Sequence, residues 1–287
     1  METVLSVLAA GGLDTVRMLV FFLGPVFLAA YLMYLVASFI GRSAGKSIGL
    51  KAFAWLTAPG TVVHELGHAL FCVVFRHEIK EIKLFDPQPD GTLGSVSHSW
   101  QKGSLYQSVG NFFIGTGPIW FGCAVVFLLS MLLVGTDFLW VAVGTRVEPA
   151  DLATPSAAGR LSLDFLHHVW VTLSGLIEPA LYSDWKFWVF IYLTLCIGLH
   201  MSLSPADLKG SWVGFLMLVV VMLVVNIGIA AFVTAFPASS AAAPVAGVTA
   251  AMVQFSLAVT GVLLVTVIPA FILMILIAAI TLAARLF

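Results

Sequence analysis

His64-Glu65-Leu66-Gly67-His68 sets two imidazoles four residues apart with a carboxylate between them. On an α-helix, residues i and i+4 leave the same face, so both rings can bind one metal ion, most typically zinc. Glu65 stands beside them, placed to take a proton from a water that the metal activates. The chemistry this points to is metal-assisted hydrolysis. The motif lies inside an apolar run, Ala52 to Phe75, long enough to cross a bilayer. Polar residues retained in hydrocarbon are costly and usually functional. The expected reaction is therefore zinc-dependent hydrolysis carried out within a membrane.

A catalytic zinc usually takes three protein ligands and leaves one position open, so a third side chain is needed. Asp207 follows Pro205 and precedes Gly210 at the end of an apolar run. A carboxylate on a loosened helix end can turn toward a metal, whose charge keeps it ionised. The same stretch also reads as a helix start, with Ser204 or Asp207 as N-cap. The incomplete site favours the ligand. His200 is the second choice, two helical turns before Asp207, either as an alternative ligand or as a hydrogen-bond donor orienting a ligand or substrate. Cys72, four residues past His68, is a spare ligand on the same face, with packing as its expected role. His167 and His168 are adjacent, point about 100° apart on a helix and suit an interface better than one metal. His77 and His98 are expected to be solvated.

The elements that must position these residues are apolar. Of 287 residues, 61% are hydrophobic and 9% charged, with a net charge of -1; the mean hydropathy is +1.08. Soluble domains carry about a quarter charged residues. The charge balance leaves no basic patch for nucleic acid. Cys72, Cys123 and Cys196 all fall in apolar runs, as small buried hydrophobes rather than a disulfide framework. Met1 to Val16 lacks the basic start of a cleaved signal.

Spans are expected over Met18–Ile40, Ala52–Phe75, Val109–Val134, Phe187–Leu203, Trp212–Phe236 and a stretch within Val245–Phe287. Between the second and third, Ile79–Phe85 alternates apolar and polar residues, Asp86-Pro87-Gln88-Pro89-Asp90-Gly91 is turn chemistry, and Thr92–Ser97 returns, which predicts a β-hairpin. Pro59-Gly60 loosens the helix start near the metal or simply kinks it. Leu161–Leu181 is expected as an interfacial segment, and Pro237–Pro244 as a short Ala/Ser-rich link. The result is an all-α polytopic membrane protein of about six transmembrane helices with an inserted β-hairpin. It forms a single domain over 1–287, with a catalytic core at about 52–210 and accessory helices at about 18–40 and 212–287.

His64-Glu65-Leu66-Gly67-His68 on a membrane helix, a hairpin-like segment after it, Gly117-Pro118 in the next span and a later helix-terminal aspartate together resemble the site-2 protease family of intramembrane zinc metalloproteases. The resemblance covers about Ala52 to Gly210. It implies Zn2+ held by His64, His68 and Asp207, Glu65 as general base and later acid, and a membrane-protein substrate cleaved in or near a transmembrane segment. A substrate helix must unwind for this, and an edge of the hairpin is expected to hold the unwound strand. The stretch Ser204-Pro205-Ala206-Asp207-Leu208-Lys209-Gly210 lacks the family's usual Asn before Pro and places Gly three residues after Asp, the pattern of a divergent member.

Two other classes compete. One is a membrane zinc hydrolase of another substrate, such as a lipid or a prenylated peptide, for which Glu178 becomes the third ligand although Pro179 disfavours a regular helix there. The other is a metal transporter or sensor, which needs polar residues along successive helices. The last two spans offer chiefly Asn226.

Overall fold

Where side chains are apolar on every side, the backbone must satisfy its own polar groups, and the helix does this within one segment. The computed structural model describes residues 2–135, 138–139, 143–152, 154–236 and 242–286, and they are mostly helical. Helix α1 (Glu2–Met18) runs through a π-turn (Leu19–Leu23) into α2 (Gly24–Ser47). Then come α3 (Leu50–Leu56), α4 (Ala58–Val74), β1 (Glu78–Lys83), β2 (Ser95–Ser99), α5 (Leu105–Gly115) and α6 (Gly117–Leu133). Further α-helices among the described residues are α7 (Pro155–Gly175), α8 (Trp185–His200), α9 (Pro205–Ala235) and α10 (Ala242–Leu286).

Among the described residues, three helical stretches can cross a membrane by length and composition: Thr3–Ser47, Pro205–Ala235 and Ala246–Ile280. A fourth results if α5 and α6, bent by 58° across Thr116, count as one span. Val213, Leu216, Val220 and Val224 of α9 are exposed. An apolar outer face of that extent suits lipid rather than water.

Several expected boundaries shift, each for a local reason. Ala52–Phe75 is two helices, because Pro59 in the first turn of α4 cannot donate back to Trp55, and the chain breaks at Thr57. The third expected span is bent at Thr116, where Pro118 interrupts the ladder in the same way. The Ser204–Gly210 stretch is an ordered first turn of α9. Residues 237–241 of the expected Pro237–Pro244 link lie outside the described residues.

Strands β1 and β2 pair antiparallel, with Ile82 opposite Val96 and Lys83 opposite Ser95, and an irregularity between Ile79 and Glu81. Backbone bonds from Asp86 to Leu93 and from Gln88 to Thr92, each 2.7 Å, continue the pairing toward Gly91, whose φ of 94° suits a glycine. Helix α7 extends over much of the expected interfacial segment. It buries Leu161, Phe165 and Val169 against Ala250 and Val253 of α10, while Leu163, Leu166 and Trp170 stay exposed.

The main core joins Val26 of α2, Ile119 of α6, Phe190 and Ile197 of α8 and Leu263 of α10. Two backbone contacts set the helices around the site. A Cβ on Gly67 of α4 would stand 2.9 Å from the Gly117 carbonyl and from the Pro118 nitrogen of α6. A Cβ on Gly115 of α5 would stand 2.7 Å from the Asp207 carbonyl of α9. Small residues let membrane helices approach this closely.

Candidate metal centre

One turn of α4 carries His64 and His68, and the first turn of α9 carries Asp207. The packing brings them to one point. His64 Nε2 and His68 Nε2 are 3.0 Å apart. Asp207 Oδ1 lies 3.2 Å from His68 Nε2, and Oδ2 lies 3.7 Å from His64 Nε2. Among the described residues this is the one group of three or more His, Cys, Asp or Glu side chains with converging ligand atoms.

The opposite ring nitrogens explain the orientation. His64 Nδ1–H donates to the His200 carbonyl at 2.5 Å, and His68 Nδ1–H donates to the Ile114 carbonyl at 2.7 Å. A carbonyl only accepts, so each ring carries its proton on Nδ1 and turns an Nε2 lone pair inward. Two lone pairs and a carboxylate facing one point repel unless a cation lies among them, either an extra proton or a metal ion. Ligands about 2.0–2.1 Å from a tetrahedral ion stand about 3.3 Å apart. The nearest separations, measured to one or the other Asp207 oxygen, are of that order, so the donor set could hold a metal ion.

Asp207 also caps its own helix. Its Oδ2 accepts the Ser204 N–H at 2.8 Å, while Ser204 Oγ accepts the Asp207 N–H at 3.1 Å, a reciprocal capping box. The carboxylate is thereby held by its own helix end in the orientation that meets the histidines.

Glu65 is buried, at 6% exposure, and lines the same cavity of about 820 Å³ as His64, His68 and Asp207. Across this cavity stand Gly94, Ser95, Val96 and His98 of the sheet region. Gly94 sits so close that a Cβ there would be 2.7 Å from Glu65 Cγ. One side of β2 thus opens on the space beside the glutamate.

The other sequence candidates fall elsewhere. The His200 ring donates Nδ1–H to the Cys196 carbonyl at 2.9 Å and is outside the cluster; it is the His200 backbone carbonyl that orients His64. Cys72 is buried and outside the cluster. Glu178 is exposed and outside it as well, at the start of a 3-10 turn. His168 Nδ1 lies 2.8 Å from Thr145 Oγ1.

His77 and His98 are not solvated as expected. His77 is buried and donates Nε2–H to the Gln107 carbonyl at 2.8 Å, so its Nδ1 accepts from His98 Nδ1–H at 3.0 Å. The Trp100 ring stacks on His77. Burial pushes both imidazoles below their ordinary range, with the Gln107 carbonyl opposing this at His77 and the neighbouring His77 adding to it at His98. Sequence reasoning missed the pair because its partners come from three separate segments. The only local signal was Trp100 two residues from His98, on the same side of an extended chain.

No family model matches the chain, and neither a curated protein nor a solved structure matches it.

Proposed function

We propose that the chain is an intramembrane zinc metalloprotease, similar to the site-2 proteases, that hydrolyses a peptide bond in or near a transmembrane segment of a membrane-protein substrate. The observation that carries this reading is the convergence of His64 Nε2, His68 Nε2 and the Asp207 carboxylate in the cavity that Glu65 lines. In this reading α4 and α8, of 17 and 16 residues, complete six crossings with α2, the bent α5–α6 pair, α9 and α10.

When bound, zinc polarises the scissile carbonyl and lowers the pKa of an attacking water. The chain's own residues do the rest. Glu65 takes the proton from that water and delivers it to the leaving nitrogen. Ile114 and His200 hold the two imidazoles through their carbonyls, so the rings need no reorientation. A peptide in helical form hides its carbonyls, and an unwound one needs new backbone partners. The exposed side of β2 supplies them by strand addition, beside Glu65. The hairpin is therefore the substrate clamp in this reading, and its deletion abolishes cleavage while zinc binding persists.

The test is zinc content of detergent-purified protein by elemental mass spectrometry, for wild type and Asp207→Ala, joined to fragment analysis of membrane proteins from cells making wild type or Glu65→Gln. Near-stoichiometric zinc that falls in Asp207→Ala, with fragments lost in Glu65→Gln, supports the proposal. Full zinc with no Glu65-dependent fragment would turn the reading toward a metal carrier or a hydrolase of another substrate.

A further inference from the structure

We infer that Pro118 is a positioning residue of the metal centre, acting by withholding a backbone N–H so that the Ile114 carbonyl is free to hold His68. The inference rests on the metal-centre reading above.

In an uninterrupted helix the carbonyl of residue 114 accepts from the N–H of residue 118. Residue 118 is proline, which has no N–H. The ladder stops there, α5 ends at Gly115, and α6 leaves at 58°. Ile114 is 3% exposed, so water does not replace the missing donor. The cap N–H of Thr116 also reaches this carbonyl, but its helical donor is missing, and His68 Nδ1–H takes that place at 2.7 Å. The arrangement is tight on the other side as well. Gly67, next to His68 in the chain, leaves room for no side chain here: a Cβ on it would stand 2.9 Å from the Pro118 nitrogen. An N–H at 118 would compete for the carbonyl that His68 uses.

The second histidine is held by the same device. The His200 carbonyl would accept from Ser204 N–H if α8 continued, but that N–H donates to Asp207 Oδ2 instead. His64 Nδ1–H takes the released carbonyl. Each imidazole is thus anchored by a carbonyl that a break in a neighbouring helix has freed. At 114 the break depends on one residue type, which makes it testable.

The experiment measures zinc affinity of the full chain in detergent, by competition with a chromophoric chelator, together with the ligand-field spectrum of the Co2+-loaded protein. Three proteins are compared: wild type, Pro118→Ala, and a chain with lactic acid at position 118, which lacks both the ring and the N–H. Loss of an outer hydrogen bond to a metal-binding histidine typically costs about 10–100-fold in affinity. Pro118→Ala should weaken zinc by that factor and alter the Co2+ spectrum, while the metal-free protein melts no lower than wild type. The lactic-acid chain should bind zinc within a few-fold of wild type, and this comparison stands even if Pro118→Ala does not fold. Wild-type affinity in Pro118→Ala would overturn the inference alone. Equal weakness in the lactic-acid chain would do so too, assigning the effect to ring packing. A wild-type chain that binds no zinc would overturn the metal reading along with it.

Discussion

Asp207 Oδ1 lies 3.2 Å from His68 Nε2 while the other oxygen of the same carboxylate accepts the Ser204 N–H that starts its helix. Helix cap and histidine-facing group are therefore one side chain, so the cap and the approach to the histidines do not exclude each other. A carboxylate left to rotate would have to be ordered on binding. Here the cap has already ordered it.

That double use separates two substitutions. Asp207→Asn keeps an oxygen for the Ser204 N–H but loses the charge, so zinc content should fall with little change in melting temperature. Asp207→Ala should lose zinc and also about 0.5–2 kcal/mol of stability as the cap is removed. Elemental analysis and thermal melting in one detergent check both.

Gly67→Ala tests the crossing of α4 and α6. Alanine ordinarily favours a helix over glycine by about 1 kcal/mol. At Gly67 its methyl group would press on the Gly117 carbonyl and the Pro118 nitrogen, both 2.9 Å away. Overpacking of this kind costs about 1–3 kcal/mol, so the melting temperature should drop rather than rise. Zinc affinity should drop with it, because His68 is the next residue.

Gly94→Ala separates the glutamate from the metal. The added methyl would stand 2.7 Å from Glu65 Cγ and 2.7 Å from the Lys83 carbonyl. Glu65 must move, whereas the three converging ligand atoms are not touched. Zinc content should stay at the wild-type level while cleavage falls by about 100-fold, the scale expected for a reacting group displaced by about 1 Å.

The His77–His98 pair predicts a pH dependence of stability. Both imidazoles have folded values pushed below about 6.5, the ordinary value they regain on unfolding. Groups depressed on folding contribute stability that is present above the unfolded value and lost as pH falls through the folded one. Thermal stability should be flat above about pH 7 and decline as pH drops below about 6.5. A second proton would also set two N–H groups against each other across the 3.0 Å contact. His77→Phe should flatten that decline, which melting curves across pH can follow.

Much of the architecture was legible because helices and strands are local patterns. Long apolar runs marked the helices, and alternation around Ile79 with turn residues after Phe85 marked the two paired strands. The boundaries moved where one backbone group decided them: Pro59 split α4 from α3, and Pro118 bent α5 against α6. The roles of His200 and of the His77–His98 pair were not legible. A residue that acts through its carbonyl leaves no side-chain signature, and a buried histidine pair depends on segments far apart in the chain.

By itself, the sequence determined that two imidazoles share one helix face next to a carboxylate, because a spacing of four is a property of the helix alone. Only the tertiary structure decided which carboxylate and which carbonyls meet them. Those groups sit at the ends of α5, α8 and α9, and their positions depend on backbones touching at Gly67–Gly117 and at Gly115–Asp207. Contacts of that kind are set by the shape of two helices together, which neither helix encodes separately.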